Sequence, residues 1–172
     1  MNENVPAAGP PSAGRALLML PIIAGLIAAY MAFGSMLGIA SLFAGLFFLL
    51  YWAGIKHADP KEFAPALLGG LGGLVLAFLL HLLPADFGAI GMAAAWLLVV
   101  TAIYVQIREL CPLFINLAFM LYLALGTVPP IATEADFIGM GLAILLAASF
   151  FGGVLFLVRR LNRKRSASAE PA

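Results

Sequence analysis

Residues Pro65–Pro84 read PALLGGLGGLVLAFLLHLLP, and this stretch decides the fold. Two prolines bracket it, and it contains no Asp, Glu, Lys or Arg. At 1.5 Å rise per residue, roughly 18–20 helical residues cross the ~30 Å hydrocarbon core of a bilayer. The stretch has the length of a transmembrane helix. Five further apolar runs surround it, two before and three after.

The composition agrees. Of 172 residues, 64% are apolar and only 10% charged, with a mean hydropathy of +1.09. A soluble domain is roughly half apolar and about a quarter charged. A water-soluble chain this short has no interior large enough for so much apolar surface, so lipid is the expected solvent. The single cysteine, Cys111, excludes an intrachain disulfide and a Cys-based zinc cluster. The sequence has no G-x-G-x-x-G, Walker A, H-E-x-x-H or C-x-x-C pattern. No catalytic, cofactor-binding or metal-binding residue is expected, and no nucleic-acid partner.

Outward from Pro65–Pro84, the expected architecture is all-α, a single bundle of six transmembrane helices over residues 16–158. A disordered Pro-, Ala- and Gly-rich tail over 1–15 is expected to precede it and a basic cytoplasmic tail over 159–172 to follow. The base-then-apolar start also fits a cleaved signal peptide, but apolar character runs on to Ile55, which a signal peptide lacks. Span one is Ala16–Phe33, the turn falls at Gly34-Ser35, and span two is Met36–Ile55. Tyr30, Tyr51 and Trp52 then sit near span ends, the depth amphipathic rings favour. In the polar connection Lys56–Ala64, Asp59 is placed to cap a helix, Pro60 to open it and Glu62 to complete a capping box. Span three is Pro65–Leu83, Pro84-Ala85-Asp86 turns the chain, and span four is Phe87–Ile107. Pro112 opens span five, Pro112–Val128, which Pro129-Pro130 ends. Span six is Phe137–Val158.

Charge supports this count. Six spans place Arg15, Lys56, Lys61, Arg108 and the five bases of Arg159–Arg165 on one side. The other side receives only Asp86, Glu134 and Asp136. Basic segments stay cytoplasmic, so both termini are expected inside the cell, with Arg108, Arg159 and Arg160 as anchors at the inner interface.

Three groups of residues are candidates for a role. Gly69, Gly70, Gly72 and Gly73 fall largely on one helix face at 100° per residue. Such a face admits a second helix backbone closely, and alanine at 69 or 73 is then expected to be mild. The rival reading is a hinge or broken helix that exposes carbonyls to a solute. His81 and Asp86, with Asn116 and Ser149, form a candidate polar pathway. Their bland readings are an interfacial histidine bonded to water or headgroups and an amide that bonds across helices. The spans hold no acid, which argues against strong ion coupling and against hydrolysis.

Two stretches, LFAGLFFLLYWAGIKHADPKEFAPALLGGLGG (42–73) and YVQIRELCPLFINLAFMLYLALG (104–126), resemble the YcdZ-type group of uncharacterised small bacterial inner-membrane proteins, known by a domain-of-unknown-function label. The second stretch departs from that pattern at Cys111-Pro112 and Asn116, where smaller residues are expected. The resemblance implies a multipass plasma-membrane protein and supplies no catalytic residues. From the residues alone, a small-solute permease or channel component is the first reading. A non-catalytic structural or accessory subunit of a membrane complex is the alternative, and an intramembrane enzyme ranks below both. Expected partners are the lipid bilayer and either a second copy or another membrane subunit. A polar path joining Asn116, Ser149 and His81 favours the permease; a sealed apolar interior with an outward groove favours the subunit.

Overall fold

The computed structural model describes residues 13–128 and 136–168. Pro129-Pro130, Glu134 and most of the N-terminal tail lie outside the described residues. Among the described residues the elements are all helical.

Helix α1 (Ala13–Met36) has 24 residues, and Pro21 lies inside it rather than in its first turn. Gly34 and Ser35 do not turn the chain. Both stay helical, with Ser35 Oγ donating to the Met31 carbonyl (2.8 Å). The Leu42 side chain fills the place where a Cβ of Gly34 would stand. The reversal falls between α1 and α2, where Gly38 adopts φ +72°, a conformation glycine takes without strain.

Helix α2 (Phe43–Ile55) is about 20 Å long. Its last six residues, Leu50–Ile55, form a wide π turn, and Lys56 N bonds the Tyr51 carbonyl five residues back (3.0 Å). Asp59 caps the next helix by accepting from Lys61 N (2.9 Å), with Pro60 in the first turn. Glu62 pairs instead with Lys56 (3.0 Å), across the His57-Ala58 turn.

Helix α3 (Pro60–Ile107) runs straight through Pro65 and Pro84. The turn expected at Pro84-Ala85-Asp86 is displaced to Gly88, whose φ 56°, ψ −131° only glycine adopts readily. In a straight helix Ala77 and Ala102 would stand roughly 38 Å apart. Both belong to one cluster with Leu76, Phe119 and Leu123, so the two arms of α3 fold back on each other.

Helix α4 (Leu117–Thr127) has only 11 residues, about 16 Å. Pro112 does not open it; residues 108–116 are turns, and the helix starts after Asn116. Helix α5 (Phe137–Ser168) continues ten residues beyond the expected end at Val158, so Arg159–Arg165 extend a helix.

Helix α4 packs on α3, and α2 packs on α5. Tyr30, Phe48, Tyr122, Met140 and Ile144 fill the centre with no side-chain exposure to speak of. Tyr30, Tyr51 and Trp52 are therefore buried against protein rather than exposed on the outer face. Trp52 packs edge-on to Phe63 (ring centroids 4.9 Å) and donates through Nε1 to the Asp59 carbonyl (2.9 Å).

The outside is apolar. Leu17, Leu18 and Ile22 on α1, and Ile90, Trp96 and Leu97 on the second arm of α3, are all at least 60% exposed. An apolar belt of that extent is a liability in water and ordinary in lipid. Three helices, Leu17–Met36, Pro60–Ile107 and Phe137–Leu161, are long and apolar enough to cross a membrane. Among the described residues six helices of spanning length are not found; α2 and α4 are too short to cross alone.

The bases gather at one end of the bundle. Arg159 Nη2 donates to the Ala58 carbonyl (3.0 Å), which joins the far end of α5 to the connection before α3. Asn116 Nδ2 donates to the Pro65 carbonyl (2.8 Å), which brings residues 108–116 to the same end. Tyr30 packs on Phe151 (5.4 Å) and Ile23 shares a groove with Val158, so α1 begins there too. Lys56, Lys61, Arg108, Arg159 and Arg160 thus gather at one end. Asp86 and Asp136 stand at the other, where His81 packs on Phe137 (5.5 Å).

Candidate functional site

The glycine face of α3 lies against α4. A Cβ at Gly73 would overlap the Phe119 backbone carbonyl oxygen, and one at Gly69 would overlap the Asn116 amide. At Gly70 and Gly72 the neighbours are the Tyr122 ring (2.9 Å) and the Phe119 ring (3.2 Å). The whole stretch is helical, with no break between Pro60 and Gly88. Absent side chains on α3 thus let the short α4 approach to backbone contact.

Asn116 organises that contact. Its Oδ1 accepts from Phe119 N (3.2 Å) and caps α4, while Nδ2 donates to the Pro65 carbonyl (2.8 Å) and back to the Pro112 carbonyl (3.0 Å). A side chain that bonds its own backbone on both sides competes with helix, which is why α4 does not start at Pro112.

The other polar candidates do not join it. His81 Nδ1 bonds the Ala77 carbonyl of its own helix (2.8 Å). Ser149 Oγ donates to the Leu145 carbonyl of its own helix (2.8 Å) and is exposed. Asp86 is exposed at the Gly88 end. Asn116 touches Gly69, twelve residues before His81, so roughly 18 Å of helix separates the two. Among the described residues no continuous polar path links the four.

Of the arginines, Arg108 and Arg160 are exposed at the basic end, and Arg159 binds the Ala58 carbonyl. Lys56 has its pKa raised, chiefly by the hydrogen bond from its ammonium to Glu62. Gln106, two residues before Arg108, buries its Oε1 without a hydrogen-bond partner among the described residues.

The buried polar centre is one that sequence reading misses. The Tyr30 hydroxyl donates toward the Leu42 (3.0 Å) and Ala143 (3.2 Å) carbonyls, and the Tyr122 hydroxyl donates to the Ala44 carbonyl. These bonds tie α1, α2, α4 and α5 together at mid-bundle. Gly45 makes room, since a Cβ there would overlap the Tyr30 hydroxyl. A Gly among bulky side chains, in Phe43-Ala44-Gly45-Leu46-Phe47-Phe48, was the available signal. Among the described residues no group of three or more His, Cys, Asp or Glu is placed to hold a metal ion.

Open space lies on the outside. A groove of about 690 Å³ runs between α1, α2 and α5, and a second of about 550 Å³ between α3 and α5. Both are walled almost wholly by apolar side chains. No family model, curated protein or solved structure matches the chain.

Proposed function

We propose that the protein is a multipass plasma-membrane protein with both termini in the cytoplasm, serving as a non-catalytic accessory or structural subunit of a membrane complex. The observation that carries this reading is the contrast between interior and surface. The interior is filled by Tyr30, Phe48, Tyr122, Met140 and Ile144, and the candidate polar residues are each bound to backbone carbonyls or exposed. The large grooves face outward.

The proposed topology has six passes: α1, α2, the two arms of α3, α4 and α5. Helices α2 and α4 fall short of the membrane thickness, and adjoining chain completes those passes. Before α2, such non-helical backbone is tolerated at membrane depth because protein covers it: Ser41 and Leu42 are buried. Gathering of the bases at one end supports the cytoplasmic placement of that end. The inner-membrane location and YcdZ-type membership rest on the two stretches quoted above.

One observation favours the permease as a second reading. The two short helices, α2 and α4, meet in the core through the Tyr122–Ala44 hydrogen bond. Paired short segments in the two halves of a membrane chain are a feature of transporter binding sites. Flux of small solutes into proteoliposomes separates the readings. The accessory role expects no flux above empty vesicles, together with a native-gel size larger than the chain alone in mild detergent. Flux that Tyr122→Phe abolishes, with stability retained, establishes the permease instead.

A further inference from the structure

The two outward grooves meet at one arginine. Ala58 and Val158 line the first near the basic end, and Phe63, Gly153 and Phe156 line the second. Trp52, buried at its base, and the half-buried Leu155 line both, so these side chains form a low ridge shared by the two lanes. Leu155 stands one helical turn before Arg159 on the same face of α5, which leads the ridge up to the guanidinium. Arg159 itself lines the second groove, and its Nη2 donates to the carbonyl of Ala58 in the first (3.0 Å).

We propose that this surface binds one anionic diacyl phospholipid of the inner leaflet, with an acyl chain on either side of the Trp52–Leu155 ridge and the phosphate on Arg159. The proposal rests on the membrane placement above, not on the accessory role. Charge complementarity argues for it: apolar lanes open at a guanidinium with Lys61 and Arg160 close in sequence to the mouth. A guanidinium has five N–H donors in a fork that matches phosphate, and the Ala58 carbonyl engages one nitrogen. Basic pockets between membrane helices on the cytoplasmic side suit phospholipid headgroups. The second groove reaches Leu145, roughly 21 Å along α5 from Arg159, deep enough for the ~15 Å hydrocarbon half-thickness of one leaflet.

The test uses the full chain carrying Trp96→Phe, which leaves Trp52 as the sole tryptophan, in nanodiscs doped with chain-brominated phosphatidylglycerol or chain-brominated phosphatidylcholine. Trp52 emission is expected to be quenched at about five-fold lower mole fraction of the anionic lipid, the effect of one interfacial base. Arg159→Gln is expected to erase that preference, and Arg160→Gln to keep most of it. Gly153→Phe fills the second lane where a Cβ meets open space, so it is expected to fold normally and to weaken quenching by both lipids. Equal quenching by the two lipids, or equal effects of the two arginine variants, overturns the proposal. Absence of quenching by either lipid, with the chain inserted, means that protein covers the grooves and also overturns it. A chain that fails to enter nanodiscs defeats the membrane placement itself.

Discussion

Gly73 and Asn116 show how much single positions decide in this fold. A Cβ at Gly73 meets backbone, which cannot rotate away as a side chain can. The mild effect of alanine expected from spacing alone is therefore revised. Overpacking costs about 1–3 kcal/mol, against roughly 1 kcal/mol gained in helix propensity. Gly73→Ala is expected to lower the melting temperature in detergent, while Gly153→Ala, with open space around it, is expected to hold or raise it. Equal melting temperatures would remove close packing as the role of the glycine face. Asn116 combines an acceptor that caps with a donor that crosses to Pro65. Asp and Asn cap about equally well, so Asn116→Asp keeps the cap and sets a carboxylate against the Pro65 carbonyl. That variant is expected to melt below Asn116→Ser, by the cost of an unmet buried polar contact, about 1–3 kcal/mol. The glycine face was legible because helix geometry fixes which positions align. Its partner was not, because the start of α4 depends on the Asn116 side chain bonding its own backbone. Tyr30 was misread for a related reason: a boundary drawn at Gly34 made a core residue look like the end of a span.

At the scale of elements, the sequence located the helical segments better than their ends. Proline was taken as punctuation at 84 and 112, yet α3 passes through Pro84 and α4 ignores Pro112. Proline removes only one helical hydrogen bond, and the helix continues through it to Gly88. The true reversal needed a backbone conformation, not merely a missing donor, and glycine supplies it at 88. Gly88→Ala is accordingly expected to destabilise by about 1–3 kcal/mol. Pro84→Ala restores an N–H within a continuous helix and is expected to be neutral or stabilising. If Pro84→Ala is the more damaging of the two in thermal unfolding, the hairpin at Gly88 is wrong and the turn belongs at Pro84. The short helices were illegible for a different reason. Apolar residues precede the start of both α2 and α4, so hydropathy cannot mark where those helices begin.

For the whole molecule, the arms of α3 set the topology. If Pro60–Ile107 crossed once as an unbroken rod, its two ends would face opposite sides of the membrane. The fold at Gly88 returns Ile107 to the end where α3 began, and the Asn116–Pro65 hydrogen bond closes that end. Positive charge agrees, since Lys56, Lys61 and Arg108 flank the two ends and Asp86 lies at the reversal. The chain carries its own reporter, because Cys111 is its only cysteine and lies half-buried in the connection before α4. A membrane-impermeant maleimide added to intact cells is expected to leave Cys111 unmodified, and added to inverted membrane vesicles to modify it. In a Cys111→Ser background, Asp86→Cys is expected to show the reverse pattern. Topology reporters fused after Arg165 and within residues 56–64 should read cytoplasm, and those within 131–136 the exterior. Modification of Cys111 in intact cells, with a cytoplasmic reading at 56–64, would make α3 a single crossing and discard the six-pass topology. The opposite result fixes the basic end in the cytoplasm, where five bases on the extension of α5 add about 1 kcal/mol each near an anionic leaflet. Neutralising those five should then lower the fraction of correctly oriented chains while Lys56, Lys61 and Arg108 keep the α3 hairpin in place.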